Sequence, residues 1–317
     1  MPRFLRLVTV LSVLAALALP GSAASVAVPA CGDVLTGDVV LTTDLVCSGN
    51  GLTIPGYVDV ELDLNGHSIV GLGAGTGVNV VPDLSVDPSR TTPGDVVVEN
   101  GSIRGFDQGL HVSTQGSRVG TTSLQLTELR ITANGVGVVG GPAFGPLTTL
   151  ANSMIDSNRG DGVNTAFVRF RIINDRVRDN GGYGIRAGED SVRLLQDSFV
   201  THNGLGGAKL TDTVAIVANN TFLANAGTGL QIDERLCFLL PFYVVSDNVA
   251  DLNGGGGMRA ATVGGPGCPE PAPPPGSGNA AKLNAEFQCI LIICASNRGL
   301  AGPQDPSANV ALPSHSS

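Results

Sequence analysis

Six times between residues 134 and 258 the chain writes one short pattern: an asparagine, three residues, a glycine, then an apolar side chain. The full copies are Asn158…Gly162-Val163, Asn180…Gly184-Ile185, Asn203…Gly207-Ala208, Asn225…Gly229-Leu230 and Asn253…Gly257-Met258. Asn134…Gly137-Val138 is one residue shorter, and Val96–Val112 is a weaker, earlier copy. Successive asparagines lie 24, 22, 23, 22 and 28 residues apart. Such a period is too short for two helices and a connection, but it suits three short strands with tight turns. Glycine and β-branched residues dominate, alternation has period two and helix formers are scarce, which also favours strands. A leucine-rich repeat has a similar period, but its LxxLxLxxN signature is missing. The spacing therefore predicts an all-β chain, a parallel solenoid of about eight or nine coils stacked about 4.8 Å apart.

Stacking assigns roles within the repeat. The asparagines fall on top of one another, where side-chain amides can bond in a ladder along the axis. Ile131, Ile155, Val177, Val200, Phe222 and Ala250, three residues earlier, point inward. Six residues before each asparagine comes a second polar position: Glu128, Asn152, Asn174, Asp197, Asn219 and Asp247. The glycines are expected to supply the positive-φ corners that a coil needs. Asn100 and Asn219 lie in glycosylation sequons, and Asn219, at a ladder position, is expected to be buried.

Four segments follow: a signal peptide over 1–24, an N-terminal cap with the first coils over 25–66, repeats over 67–262, and a proline- and glycine-rich linker and tail over 263–317. Arg3 and Arg6, the apolar Leu7–Leu19 and the small residues Ser22-Ala23-Ala24 make the secretory pattern. Loss of that segment takes the formal charge from −9 to −11. So acidic a chain is no natural partner for nucleic acid. Beyond the signal no segment is long and apolar enough for membrane insertion. Pro82–Gly94 and Pro142–Pro146 read as loops, and Phe287–Cys294 carries enough apolar side chains to fold back over the C-terminal end. The six cysteines suit disulfides in an oxidising compartment. Six cysteines allow fifteen pairings; proximity favours Cys31–Cys47, Cys237–Cys268 and Cys289–Cys294. The four scattered histidines and the lack of any CxxC pair argue against zinc.

The rungs resemble the PbH1 repeats of secreted right-handed parallel β-helix proteins in the pectate-lyase-like superfamily. The opening Cys31-Gly32-Asp33…Asp44-Leu45-Val46-Cys47 and Leu62-Asp63-Leu64-Asn65-Gly66-His67 resemble the first coils of its bacterial members. The likeness covers residues 31–262 and implies extracellular polysaccharide as the partner. It specifies architecture strongly and activity hardly at all.

Two outward rows carry the candidate chemistry. Two residues past each repeat glycine come His111, Val139, Asn164, Arg186, Lys209, Gln231 and Arg259. Arg186, Lys209, Gln231 and Arg259, with Tyr183 beside them, form a candidate glycan-binding stripe for an acidic polysaccharide. The strand before the asparagine ladder places Asp156 and Arg178 as vertical neighbours, with Arg176 on the same face. These three are the candidates for a β-elimination lyase or epimerase, whose relatives bind Ca²⁺ through carboxylates. No other cofactor or metal is expected, and the acid cluster that calcium wants is thin. Signatures of polygalacturonase-like hydrolases and alginate epimerases are missing, no carboxylate pair stands out for glycoside hydrolysis, and tryptophan is absent. Arg159-Gly160-Asp161 is discounted as part of a turn, and His67 as part of the turn that opens the solenoid. The readings are thus a non-catalytic polysaccharide-binding module, a divergent Ca-dependent polysaccharide lyase or epimerase, and a structural or adhesive spacer.

Overall fold

The computed structural model describes residues 28–81, 94–113, 123–141, 147–189, 191–212, 215–234, 243–262 and 275–294. Each coil runs along three faces. One typical coil takes Leu147–Ala151 on the first face, Met154–Asp156 on the second and Val163–Ala166 on the third. The third-face strands build a ten-stranded parallel sheet. The first two faces belong to a 17-stranded sheet, because Asp95–Arg104 and Ser123–Thr132 run through both. No helix among the described residues is long and apolar enough to cross a membrane.

Parallel register turns the alternating sequence into vertical stacks of like side chains. On the first face Leu62, Val98, Leu126, Leu150, Ile172, Leu195 and Val217 lie one above another. On the second, Ile103, Ile131, Ile155, Val177, Val200, Phe222 and Ala250 do the same. All are essentially inaccessible to water. Burying a side chain of this size stabilises the fold by roughly 1.5–3 kcal/mol, and register repeats that gain at every rung.

The asparagine ladder runs through the corner between the second and third faces. Backbone N–H groups of Phe106, Asn134, Asn158, Asn180, Asn203, Asn225 and Asn253 each donate to the Oδ1 of the next rung's asparagine, at 2.9–3.2 Å. Each Nδ2 from Asn158 to Asn253 donates onward to the same oxygen. The ladder extends one rung beyond the pattern, to Asn284, capped by Gln288. Residues 279–294 accordingly form a further coil, with Ala280–Lys282 and Cys289–Ile290 paired to the coil before. Phe287–Cys294 continues the stack rather than folding across its end.

Two expectations about the corners are corrected. The residues with positive φ there are not the repeat glycines but Ala133, Ser157, Asp179, His202, Ala224 and Leu252, each just before a ladder asparagine. The repeat glycines have ordinary φ and are needed for closeness instead. A Cβ on Gly184 would stand 2.7 Å from Asn203 Nδ2 and 2.9 Å from the Gly207 carbonyl oxygen. Second, Asn219 is exposed, not buried. Glu128, Asn152, Asn174, Asp197, Asn219 and Asp247 all hold φ of 54–57°, a conformation that short polar residues adopt most readily. The buried ladder at that corner is one residue later: Ser153, Asp175, Ser198, Asn220, Asn248 and Asn279.

Cys31–Cys47 and Cys289–Cys294 are disulfide-bonded. The signal peptide, the Cys237–Cys268 pair, residues 82–93 and 142–146, and the tail after 294 lie outside the described residues.

Gly184→Ala should lower the unfolding free energy by about 1–3 kcal/mol through overpacking. At Gly188, where the nearest atom to a new Cβ is 3.8 Å away, the same change should stay within about 0.5 kcal/mol; paired denaturant titrations read the difference. Asp175 supplies a pH test. Its buried carboxylate accepts from Ser153 N and Ile173 N, yet burial outweighs these bonds and pushes it up to about 7. The unfolded chain releases that proton near pH 4, so the folded state alone retains it between about 4 and 7, and stability falls as pH rises through that window. Asp175→Asn should remove this slope. Wild-type stability relative to the variant should drop by on the order of 3 kcal/mol from pH 4 to pH 8, measured by denaturation at each pH.

Candidate functional site

The third-face column stands as the repeat spacing implies. Asn79, His111, Val139, Asn164, Arg186, Lys209, Gln231 and Arg259 are successive register partners. Arg186 is exposed, while Lys209, Gln231 and Arg259 are half-buried. Toward the N-terminal end the column loses its charge. His111 bonds Asn79 at 2.9 Å, and burial holds its imidazole below the usual range, so it is neutral at pH 7. Asn164 is turned onto Asp161 at 3.0 Å.

Tyr183, on the same strand as Arg186, lies with its ring centroid 5.9 Å from Lys209 Nζ, within cation–π range. The ring packs on Gly206, where a Cβ would approach to 2.9 Å. The register left one partner unseen. Asp233, two residues past Gln231 and so on the same face, takes Lys209 at 3.7 Å and Arg259 at 3.4 Å, and accepts from the Gln231 amide. Alternation along Leu230–Glu234 is the signal that would have found it. The carboxylate removes one charge from the stripe and fixes the positions of three of its side chains.

The second-face group has the expected register but different chemistry. Asp156 is the register partner of both Thr132 and Arg178, and Arg176 sits on the neighbouring row beside Met154. Asp156 does not pair with Arg178. Both its oxygens are taken by Arg130, one rung back on the diagonal, at 3.2 and 3.0 Å. Arg178 turns to Asp179 at 3.6 Å and to the Met154 sulfur. Asp156 is 2% exposed, and its bond and charge raise the Arg130 guanidinium above its already high value. Both oxygens of this buried carboxylate are thus engaged by one guanidinium fork. Among the described residues no group of three or more His, Cys, Asp and Glu side chains is placed to hold a metal ion.

A third feature went unremarked in the sequence. Leu147, Arg169, Arg171, Arg193, Leu194 and Ile216 line an open groove of about 550 Å³ on the first face. The signal was available in Arg169-Phe-Arg171, whose alternation puts both arginines outside. Acidic residues gather instead near the N-terminal end. There Glu99 stacks on Asp63, and burial, then Glu61, Asp63 and Glu128, raise its carboxyl above the usual range.

Comparison with known proteins places this geometry. Residues 96–265 match the family model described as the right handed beta helix region. Among solved structures, a periplasmic alginate epimerase, AlgG, is similar at TM-score 0.45 and 12% identity, over 85% of this chain and 68% of that one. The A-module of an Azotobacter vinelandii mannuronan C-5 epimerase, AlgE4, gives 0.44 and 14%, over 82% and 84%. Tailspike protein 2 of an Escherichia coli bacteriophage gives 0.42 and 16%, over 81% of this chain, which spans 38% of the tailspike's length. No curated protein matches the chain in sequence.

Proposed function

Because this chain belongs to the right-handed β-helix family, we propose that it is an exported, non-catalytic module that holds an acidic polysaccharide along Arg186, Lys209, Gln231 and Arg259. One observation carries the reading: these residues occupy four consecutive rungs of one outward column. A polyanionic chain laid along the axis would meet a donor at every rung, with Arg186 and Arg259 suited to carboxylates through their planar forks. Tyr183 offers an aromatic face beside these donors. Asp233 supports the site by holding Lys209, Gln231 and Arg259 in place before a ligand arrives, which reduces the ordering cost of binding. The rigid, ladder-stacked backbone beneath does the same. The Cys31–Cys47 bridge supports an oxidising location, extracellular or periplasmic.

The lyase or epimerase reading needs a second-face carboxylate open to Ca²⁺, with a basic residue beside it to take the proton. The engagement of Asp156 with Arg130 works against it.

Retention of the oxidised full-length protein on immobilised polyuronates tests the proposal. Wild type should be retained at low salt and released as salt screens the charges. Arg186→Ala with Lys209→Ala should weaken retention at least about tenfold, on the worth of charge-assisted bonds, with unchanged thermal stability. Retention that survives the double substitution would place the site elsewhere. Unsaturated uronate appearing in the same mixtures, with or without Ca²⁺, would overturn the non-catalytic assignment, and absence of retention on every glycan would leave a structural spacer.

A further inference from the structure

Beside the charged column runs a second one, three residues earlier on each rung. Tyr183 and Gly206 are register partners there, and backbone bonds continue the stack. Gly207 N donates to the Thr228 carbonyl, Gly229 N to that of Gly256 and Gly257 N to that of Phe287, at 2.8–3.0 Å. The column therefore opens on Tyr183 and closes on Phe287, which belongs to the added coil of residues 279–294. Four inter-strand steps separate the two, about 19 Å along the axis.

Each ring leans over a glycine toward the other ring. A Cβ on Gly206 would stand 2.9 Å from Tyr183 Cε1, and one on Gly256 would collide with Phe287 Cζ, Cε1 and Cε2. Both glycines are buried under these rings, while Tyr183 and Phe287 themselves are half-buried and keep surface in contact with water. Between them stands Thr228, half-buried, with Gly227 and Gly255 bonded to each other beside it. The result is a low floor with an aromatic ring at either end, parallel to Lys209, Gln231 and Arg259. Phe287 is held from below: Asn284 closes the asparagine ladder on Gln288, and Cys289–Cys294 ties the same coil.

Resting on the polysaccharide reading above, we propose that Tyr183 and Phe287 are paired platforms for sugar rings and make the site select a glycan over other polyanions. Charge alone cannot make that distinction, because Arg186, Lys209 and Arg259 would meet the carboxylates of any acidic polymer. A pyranose ring differs from such a polymer in having an apolar C–H face, which an aromatic ring can cover. The acidic polysaccharide then lies over the floor with its carboxylates toward the charged column and two of its sugars on the rings. The last coil, outside the repeat pattern, completes the site.

Affinity of the full-length oxidised protein for polygalacturonate, alginate and poly-glutamate, measured over a range of salt concentrations, tests this. At least one polyuronate should bind about fivefold or more tighter than poly-glutamate, which carries carboxylates but no sugar ring. Tyr183→Leu and Phe287→Leu keep an apolar side chain over each glycine and should each weaken polyuronate binding about fivefold. Neither should change poly-glutamate binding or the salt dependence, because no charge is removed. Tyr183→Phe and Phe287→Tyr should bind as wild type does. Equal affinity for poly-glutamate, or polyuronate affinity unchanged in both leucine variants, would overturn the platforms; the charged column would still stand if Arg186→Ala with Lys209→Ala releases the polyuronate. Loss in the leucine variants but not in that double substitution would instead keep the platforms and overturn the charged column.

Discussion

A chain that coils with three short strands per turn must bury corners, and at a buried corner the backbone N–H has no strand partner. An unsatisfied group of this kind costs about 1–3 kcal/mol, and every coil brings two of them. The two ladders answer that cost. At each corner the N–H donates to a side-chain oxygen of the next rung, through asparagine at one corner and through serine, aspartate or asparagine at the other. Everything else follows from that vertical bonding: the exact stacking, the like-on-like core, and glycines where adjacent coils come too close for a Cβ.

The same stacking makes a usable surface. Once each rung is locked to its neighbours, an outward residue repeats its position every coil, so outward side chains line up in columns along the axis. The third face carries a charged track with an aromatic at its side, and the first face a track that changes from guanidinium to aliphatic. Lys and Arg number only 18 in an acidic chain, yet Arg169, Arg171, Arg176, Arg178, Arg186 and Arg193 all fall within about one coil. The acidic Asp63–Glu99 stack lies several rungs away.

Much of this was legible because period and alternation are backbone properties. The asparagine spacing places Ile155 inside and Arg186 over Asn164 without knowledge of any atom. Misreadings arose where two physical demands produce the same residue type. Asn219 is polar because a left-handed corner tolerates asparagine, whereas Asn220 is polar because a buried N–H needs an acceptor; from sequence alone the two look alike. Gly184 likewise reads as a turn residue, although steric closeness to Asn203 is what requires it.

The sequence by itself determined the fold class, the register and therefore which residues share a column. It did so because a repeat that must stack has only one in-register solution. The tertiary structure decided which partners the long side chains chose. Register set Asp156 beside Arg178, but a guanidinium on four rotatable bonds reaches diagonally, and Arg130 made the bidentate contact. It likewise decided that Asp233 anchors the charged column and that a bulge turns Arg193 outward. Those outcomes depend on three-dimensional competition among neighbours, which no pattern of spacing encodes.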